Sequence, residues 1–375
     1  MIKIIHIITS LNMGGAENML FKTITNSNRN FKHKVISLKK NGIFEKRLNN
    51  KGIDVISFNF EKKLFFIYEI YKLITYLRKN NSNIIHGWMY HGCLMSFVAS
   101  FLLKNKTTFI WNIRQTVYKL RYEKVATTII ILILALFSHF PNKIIFNSKI
   151  SMKQHNKLGF TKKNNLYIPN GFDVKNYRYS EIYRDEIRKK FNVKPHNFFI
   201  GMINRFHPMK GHNTFFESAK LIQQVDKNFV FLIAGKGVPH NSKISKFLQK
   251  MPYPQNFFLV DQIDDIIPYF SAIDLYINSS SWGEGFSNLI GESLLCKTPC
   301  IATDIGDNSN IIEDKAFIVP PNNPKALSNA ILRYFNNKYY NNKNLKNIIR
   351  EKIVNRYNIV NITYIYDELY KSFTI

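Results

Sequence analysis

The stretch from Ser279 to Asp307 reads SSSWGEGFSNLIGESLLCKTPCIATDIGD, and the prediction of the fold starts from it. A short apolar run, Asp274 to Asn278, precedes this stretch, and a second one, Pro299 to Thr303, lies near its end. Together with the glycines between them, the two runs predict the order strand, glycine loop, helix, strand. Such a loop can hold a phosphate, because the free backbone N–H groups and the dipole of the helix both point at it.

Two glutamates, Glu284 and Glu292, lie eight residues apart in the same stretch. The first falls in the predicted loop and the second about two turns into the predicted helix. Their carboxylates can therefore reach hydroxyl groups on either side of a bound phosphate, as a nucleotide-sugar would require. Two glutamates around a helix are also compatible with a solvated face, and the residues upstream favour the binding site.

The chain upstream carries positive charge at the end of another predicted strand. The apolar run Phe199 to Ile203 is followed by Arg205 and Lys210, and a later run, Phe229 to Ala234, ends at the glycines of segment 235–237. Open α/β sheets bind ligands at the carboxyl ends of their strands. Two cations at that place match a diphosphate, because arginine can hold two oxygens at once and lysine acts as a mobile point charge.

The order of these motifs resembles that of the retaining glycosyltransferases of family 4, which have the GT-B fold. The patterns R-F-x-x-x-K-G, A-G-x-G and E-G-F-x-x-x-x-x-E stand at residues 205–211, 234–237 and 284–292. The first half is similar as well, since LNMGGAE at 11–17 resembles the first glycine loop of that family and IPNGFD at 168–173 resembles its linker between domains. The likeness covers nearly the whole chain in the expected order.

Length and strand pattern both predict two domains, because a chain of 375 residues exceeds the size of a single core. The resemblance implies a GT-B fold of two Rossmann-like, doubly wound parallel-sheet α/β domains facing a cleft. Residues 1–172 would bind the acceptor, residues 173–356 would bind the nucleotide-sugar, and residues 357–375 would form a helix that crosses back onto the N-terminal domain. Strands of the first domain, alternating with helices, are predicted near residues 2–9, 34–38, 54–57, 84–87, 108–111, 144–147 and 166–168.

The resemblance also implies a division of roles among the site residues. Arg205 and Lys210 would stabilise the negative charge that grows on the leaving diphosphate. Glu292 would accept hydrogen bonds from the ribose, Glu284 would hold a sugar hydroxyl, and His91 would orient the sugar. No metal ion or cofactor is therefore expected. The rest of the predicted donor site consists of Gly14, Gly15, Gly235, Gly237, Gly285, Phe286, Ser287, Asn288 and Leu289.

Residues at the end of the fourth predicted strand are expected to face the acceptor. The segment HGWMYH contains His86, which lies within the strand and is expected to pack, and His91, which lies past it and is the predicted site residue. Trp88, Tyr90 and Arg114 are assigned to the acceptor side. His91 is also compatible with a structural role, and Arg114 with an ordinary surface cation.

The net charge of +28, from 53 basic and 25 acidic residues, implies an anionic partner unless it reflects compositional bias. Nucleic acid and an anionic membrane surface are the candidates, and the lack of zinc-knuckle, KH and RNP patterns weighs against nucleic acid. Three scattered cysteines predict neither a disulfide framework nor a zinc site. With no signal peptide pattern, the expected location is cytoplasmic and peripheral at the inner face of the cell membrane.

The most apolar run, TTIIILILALF at 127–137, is too short to span a bilayer, which takes about 20 residues. It predicts a buried or half-buried helix. The alternative is a helix that dips into the membrane interface, which its basic and aromatic neighbours would support. These neighbours are Tyr118, Lys119, Arg121, Tyr122 and Lys124.

The function implied by the resemblance is that of a metal-independent, retaining hexosyltransferase. It would move a sugar from a nucleotide-sugar, a UDP-hexose or UDP-N-acetylhexosamine, to a lipid-linked saccharide acceptor. The product would belong to O-antigen (lipopolysaccharide), capsule or a related surface polysaccharide. Two alternatives stay open: a GT-B nucleotide-sugar epimerase, which needs no acceptor site, and a basic membrane-binding protein without activity.

Overall fold

The computed structural model describes residues 1–61, 66–103 and 107–374, which form two compact units. Unit 1 comprises Met1–Gly171 and Ile359–Ile375, and unit 2 comprises Phe172–Asn358. Within the described ranges, each unit is built on one open sheet whose neighbouring strands pair in parallel. The prediction of two doubly wound, parallel α/β units is therefore confirmed.

The sheet of unit 1 has seven strands among the described residues. They are β1 (Ile2–Ile8), β2 (Phe31–Ser37), β3 (Asp54–Ser57), β4 (Ile84–Trp88), β5 (Thr108–Ile113), β6 (Lys143–Phe146) and β7 (Asn165–Tyr167). Their order in the sheet is β3-β2-β1-β4-β5-β6-β7, so the order reverses between β1 and β4. The helices are α1 (Gly15–Asn26), α2 (Ile43–Asn49), α3 (Phe66–Lys79), α4 (Met89–Leu102), α5 (Val125–Leu136), α6 (Lys149–Lys157) and, after unit 2, α15 (Ile359–Lys371).

Strand β1 shows why this sheet forms. Its sequence, IKIIHII, is apolar on both faces, as expected for a parallel strand that is covered on both sides. Ile4 and Ile8 pack with residues of α1 and α15, whereas Ile5 and Ile7 pack with residues of α3 and α4. This alternation follows from the strand geometry, because successive side chains point to opposite faces.

The last helix, α15, packs on unit 1 although unit 2 precedes it in the chain. Its residues Tyr366 and Tyr370 are fully buried in the core of that unit. Asp367 accepts a hydrogen bond of 2.6 Å from the hydroxyl of Ser27, at the end of α1. The helix thus covers one face of the unit 1 sheet.

The sheet of unit 2 has six strands in the part of the chain that the structure describes. They are β8 (Phe198–Ile203), β9 (Phe229–Ala234), β10 (Phe257–Val260), β11 (Leu275–Asn278), β12 (Cys300–Thr303) and β13 (Ile318–Val319). The helices are α7 (Glu181–Lys190), α8 (His212–Gln223), α9 (Ser242–Leu248), α10 (Ile267–Ala272), α11 (Asn288–Leu295), α12 (Asn308–Ile312), α13 (Pro324–Asn336) and α14 (Lys343–Tyr357). The sheet order is β10-β9-β8-β11-β12-β13, so it reverses between β8 and β11, which is where open α/β sheets bind ligands.

The apolar run at 127–137 lies in α5, which is half-buried, as the sequence predicted. Ile131 and Leu134 are fully buried, whereas Val125 and Leu136 are 77% and 70% exposed. Across the residues that the structure describes, no helix combines the length and the hydropathy needed to cross a membrane.

Candidate functional site

The loops that follow β8 and β11 lie against each other in unit 2. The backbone N–H of Ser281 donates to the carbonyl oxygen of Met209 at 2.7 Å. The hydroxyl of Ser279 lies 3.2 Å from the carbonyl oxygen of Lys210 and 3.1 Å from that of Gly211. The two predicted motifs, although about 70 residues apart in sequence, are therefore joined by hydrogen bonds at the point where the strand order reverses.

Two glycines allow this close approach. Gly211 has a left-handed φ of 69°, and a Cβ atom there would come within 1.9 Å of the carbonyl oxygen of Ser279. Gly306, after β12, has a φ of 60°, and a Cβ atom there would come within 2.3 Å of the carbonyl oxygen of Glu284. Only glycine fits such positions without a shift of the backbone. The shape of the loop around Glu284 thus depends on backbone packing as well as on its side chains.

Lys210 and Glu284 form an ion pair inside this loop cluster. Their side chains are 15% and 11% exposed, and the hydroxyl of Ser280 also donates to the Glu284 carboxylate at 2.9 Å. The sequence places Lys210 on a diphosphate and Glu284 on a sugar hydroxyl, and the structure brings the two side chains together. Because the pair is nearly buried, each partner holds the other in place, and both are positioned before any ligand arrives.

Arg205 completes the positive charge of the β8 loop. Its side chain is exposed, and it forms no ion pair with a carboxylate of the described residues. Desolvation lowers the pKa of His207, and the charges of Arg205 and Lys210 lower it further. Burial likewise lowers the pKa of His212 to about 4, with Lys210 again contributing. The neighbouring histidines thus favour the neutral form, and the two cations make the loop suited to an anion.

Helix α11 begins beside this loop, and its first turn supplies backbone N–H groups. Ser287 precedes the helix and is buried, and its hydroxyl accepts a hydrogen bond of 3.0 Å from the side-chain amide of Asn278. The ring of Phe286 packs in the core, with its centroid 5.3 Å from that of Tyr357. Among the predicted donor residues 285–289, Phe286 therefore has its side chain in the core of unit 2, where it fixes the start of the helix.

Glu292 lies on the second turn of α11 and is 7% exposed. Its carboxylate accepts a hydrogen bond of 3.0 Å from the hydroxyl of Tyr177, in the segment before α7. Arg350 of α14 holds that segment by donating to the carbonyl oxygens of Val174 at 3.0 Å and of Tyr177 at 2.6 Å. Neither Tyr177 nor Arg350 is predictable as a site residue from the sequence, because neither stands in a recognisable motif.

The glycines after β9 lie on the other side of β8. Gly235 packs directly on the β8 loop, since a Cβ atom there would come within 2.2 Å of the carbonyl oxygen of Asn204. The backbone N–H of Gly237 donates to the carboxylate of Asp261 at 2.9 Å, and this bond lowers the pKa of that carboxylate. Gly235 therefore lies next to the loop that contains Arg205, whereas Gly237 is hydrogen-bonded to the segment after β10.

The Gly14-Gly15 loop of unit 1 leads from β1 into α1, as predicted. A Cβ atom at Gly14 would come within 2.3 Å of the carboxylate of Glu17, which folds back over the turn. Glu17 is buried and accepts a hydrogen bond of 3.2 Å from the hydroxyl of Ser10, and burial raises its pKa. The carboxyl group of Glu17, in the first turn of α1, therefore lies against the Gly14-Gly15 loop. No motif in the sequence indicates this contact.

His91 lies in the first turn of α4, directly after β4. Met89 has a left-handed φ of 61°, and a Cβ atom at Gly92 would come within 2.3 Å of the carbonyl oxygen of Ile7 in β1. Helix α4 therefore begins against β1, where the strand order of unit 1 reverses. The His91 side chain is exposed, and desolvation and then the charge of Lys39 lower its pKa.

His86 is fully buried, as expected, and its Nδ1 atom lies 2.8 Å from the hydroxyl of Tyr370. The three residues assigned to the acceptor side, Trp88, Tyr90 and Arg114, are also buried, with exposures of 0%, 3% and 9%. The suggestion that Arg114 is an ordinary surface cation is therefore wrong.

Each of these buried residues is bonded to others of unit 1. Trp88 donates to His6 at 3.1 Å, the hydroxyl of Tyr90 lies 2.7 Å from Nε2 of His155, and Arg114 contacts Asn112, Asn170 and Tyr366. Their assignment to an acceptor pocket stays a prediction. In the described ranges, no group of three or more histidine, cysteine, aspartate or glutamate side chains is arranged to hold a metal ion.

Comparison with known proteins places this site in a recognised kind of domain. Residues 183–352 match the family model described as "Glycosyl transferases group 1", and this segment contains Arg205, Lys210, Glu284 and Glu292. The chain is 22% identical over 318 residues to the capsular polysaccharide biosynthesis glycosyltransferase CapH of Staphylococcus aureus, covering 83% of this chain and 84% of that protein. It is 26% identical over 174 residues to the putative glycosyltransferase YtcC of Bacillus subtilis, covering 44% of this chain and 42% of that protein.

The structure is similar to solved structures over nearly the whole chain. The crystal structure of Anabaena Alr3699/HepE in complex with UDP superposes with a TM-score of 0.86 at 20% identity, covering 99% of this chain and 100% of that chain. A glycosyltransferase from Rickettsia africae superposes with a TM-score of 0.81 at 20% identity, covering 100% and 99% of the two chains. The GT-B fold predicted from the sequence is confirmed. The match of residues 183–352, within unit 2, to the group 1 model and the similarity to CapH support a glycosyltransferase.

Proposed function

We propose that this protein is a retaining, metal-independent hexosyltransferase that transfers a sugar from a UDP-sugar to a lipid-linked saccharide acceptor. The observation that carries the proposal is the meeting of three features where the sheet of unit 2 reverses its strand order: the cationic Arg205 loop, the Lys210–Glu284 ion pair and the start of α11. A diphosphate needs cations and oriented N–H groups, and a sugar needs a carboxylate beside them.

The donor is proposed to be a UDP-sugar for two reasons. Structures of the similar protein HepE contain UDP and, in another case, UDP-glucose. In this chain Glu292 is buried on α11, and the hydroxyl of Tyr177 orients its carboxylate. A carboxylate held in one orientation suits hydrogen bonding to a ribose hydroxyl. A UDP-hexose and a UDP-N-acetylhexosamine both fit this chemistry.

The proposed reaction breaks the bond between the anomeric carbon and the β-phosphate oxygen, and the electron pair of that bond leaves with UDP. Arg205 and Lys210 would stabilise the charge on the diphosphate, together with the N–H groups at the start of α11. Glu284 would release part of its contact with Lys210 and accept a hydrogen bond from the sugar. The acceptor hydroxyl would then attack the anomeric carbon from the same face and pass its proton to the departing β-phosphate oxygen, so that the anomeric configuration is retained, while His91 orients the sugar.

The acceptor is proposed to be a growing surface polysaccharide on a lipid carrier at the inner face of the cell membrane. The names of two relatives support this, since CapH is a capsular polysaccharide glycosyltransferase and TuaC of Bacillus subtilis, 24% identical over 170 residues, a putative teichuronic acid one. Capsule, O-antigen and related polymers fit equally, because they share the chemistry of a lipid-linked saccharide.

The test is an incubation of purified protein with bacterial membranes and a panel of labelled nucleotide-sugars, with and without EDTA. A labelled, lipid-extractable product that still forms in EDTA is the expected result, and the stereochemistry of its new linkage shows retention or inversion. The matched control is the same protein with both Arg205 and Lys210 replaced by Ala. Conversion of the labelled donor without any acceptor would support an epimerase instead, and no reaction with any donor would contradict the proposal.

A further inference from the structure

Helix α5 of unit 1 carries an exposed apolar ridge. Val125, Ile129, Leu132 and Leu136 are 77%, 53%, 48% and 70% exposed. Their spacing of four, three and four residues puts them in one line along the helix. The opposite face of α5 is buried in the core of the unit, so the ridge is held outward.

Aromatic side chains cluster just beyond the C-terminal end of α5. Phe97 of α4 lies 4.7 Å from Phe137 and 5.5 Å from Phe140 between ring centroids. Phe101, 63% exposed, stacks on Phe140, 39% exposed, at 5.6 Å. Exposed apolar side chains therefore lie both along α5 and just beyond its C-terminal end, which is more than single, scattered surface residues would give.

The turn before α5 supplies positive charge and tyrosines. Lys119, Arg121 and Lys124 are all exposed, and Tyr118 and Tyr122 are stacked at 6.2 Å between ring centroids. Between residues 118 and 140 the sequence contains one acidic residue, Glu123. The hydroxyl of Thr128 in α5 donates to the backbone of Leu120 at 3.3 Å, which fixes the turn against the helix.

We propose that the α5 patch, formed by Val125, Ile129, Leu132, Leu136, Phe101, Phe140 and the turn 118–124, docks this protein on an anionic lipid bilayer. The helix has 12 residues and is about 18 Å long, too short to cross the membrane, so it lies flat with the ridge in the interface. Tyrosines and long basic side chains suit the headgroup level, with their apolar stems along the ridge.

The positive charge beside the α5 patch favours a lipid bilayer over another protein surface as its partner. The three basic residues of the turn lie beside an apolar ridge, in a chain of net charge +28. The cytoplasmic face of a membrane matches both features, because it combines an anionic surface with an apolar interior. A second copy of this chain would bring the same positive charge against itself. This inference rests on the proposed function for the location at the inner face of the membrane, whereas docking itself requires neither donor nor acceptor.

The experiment is co-sedimentation of the purified chain with vesicles of phosphatidylcholine alone or with 30 mol% phosphatidylglycerol, at low and high salt. Binding should be stronger to the anionic vesicles and fall with salt. Replacing Lys119, Arg121 and Lys124 by Ser should lower the partition coefficient on anionic vesicles by on the order of a hundredfold, since each basic residue near the surface contributes roughly fivefold. Replacing Ile129, Leu132 and Leu136 by Ser should lower it at least about tenfold.

Matched controls keep the charge and hydropathy changes while moving them elsewhere. The charge control replaces three exposed lysines in or after α9 by Ser, namely Lys243, Lys246 and Lys250. The hydropathy control replaces three exposed apolar residues of unit 2 by Ser, namely Ile182, Leu221 and Val225. Both controls should leave vesicle binding nearly unchanged. Thermal melting shows that each variant folds, and UDP binding, measured without vesicles, tests the proposed function separately. Equal binding to both vesicle types, or none to either, overturns the proposal. So does a dimer without lipid that the ridge variant dissociates.

Discussion

The two units reverse their strand order in the same way, between β8 and β11 in unit 2 and between β1 and β4 in unit 1, yet their side chains differ in kind. In unit 2 the place holds charge: Arg205 is exposed, and Lys210 and Glu284 are 15% and 11% exposed. In unit 1 the strand β4 carries His86 and Trp88, both fully buried. In unit 2 the charged groups lie in loops and Arg205 reaches solvent, whereas in unit 1 the polar groups of β4 are sealed in the core.

This difference separates binding from stability. The cations that are proposed to hold a diphosphate lie in unit 2, where substitutions should change activity more than folding. The buried polar groups of unit 1 hydrogen-bond to one another and to α15, as His86 does with Tyr370 at 2.8 Å. Substitutions there should change folding first, because an unpaired buried polar group is costly. The expected results below test that separation.

The largest expected effect concerns the two cations of unit 2. Arg205→Ala and Lys210→Ala should each lower kcat/KM by roughly thirty- to a thousandfold, because each removes about 2–4 kcal/mol of transition-state stabilisation from the leaving diphosphate. Lys243→Ala, at an exposed position in α9, is the matched control. Steady-state kinetics with the best donor and thermal melting of each variant decide it. Near-normal kcat/KM in both variants would remove these cations from the site.

Lys210→Ala leaves Glu284 without its cation at a nearly buried position, and this variant should melt earlier than Arg205→Ala. The double variant Lys210→Met with Glu284→Gln should recover part of that lost stability without recovering activity. Recovery of both would mean that the ion pair serves the fold alone.

The second largest effect is a loss of stability at acid pH, and it should be greater in unit 1. Burial lowers the pKa of His6, His33, His86 and His155, whereas among buried histidines of unit 2 it does so for His212. The folded state therefore binds fewer protons than the unfolded state below about pH 6.5, and stability is lost as pH falls toward about 4.

In that window each such histidine should change the free energy of unfolding by about 1.4 kcal/mol per pH unit. The total change should be larger for unit 1 than for unit 2, because unit 1 has more of these histidines. Hydrogen exchange followed by mass spectrometry at pH 7 and pH 5 compares the two units, after correction for intrinsic exchange. His33→Asn, which removes one titrating group next to His6, should flatten the loss in unit 1. Equal losses in both units would contradict the expectation.

Much of the fold could be predicted from the sequence, because parallel strands covered on both faces are apolar runs. Strand β9 was predicted at its observed bounds, and β1 and β4 within one residue. The two-residue strand β13 shows no periodicity to read.

The site was predictable where a motif carries it, and less so where folding brings distant residues together. The Lys210–Glu284 contact joins residues 74 positions apart. Burial of Arg114 depends partly on Tyr366, which comes 252 residues later in α15. Such pairings follow from the tertiary fold, so patterns along the chain could name the residues without giving their partners.

A smaller effect separates the two glutamates. Glu292→Gln should weaken binding of free UDP by about tenfold, because a charged hydrogen-bond acceptor for the ribose becomes neutral. Glu284→Gln should leave UDP affinity within about threefold but lower the rate of transfer, since this carboxylate is proposed to contact the sugar. Calorimetric titration with UDP and turnover with the whole donor measure the two effects. An equal loss of UDP affinity in both variants would contradict the division of roles.

The smallest expected effect tests whether a residue outside every motif positions the donor site. Tyr177→Phe removes the hydroxyl that donates to Glu292 at 3.0 Å and leaves the ring in place. UDP affinity should fall by about fivefold, in line with about 1 kcal/mol for one hydrogen bond, while the turnover of bound donor stays near normal. Tyr177→Phe in a Glu292→Ala background should add little, because the oxygen atoms that Tyr177 orients are already gone. Tyr183→Phe, at an exposed position in α7, is the control. Additive losses in the double variant would show that Tyr177 acts on the fold of unit 2 and not through Glu292.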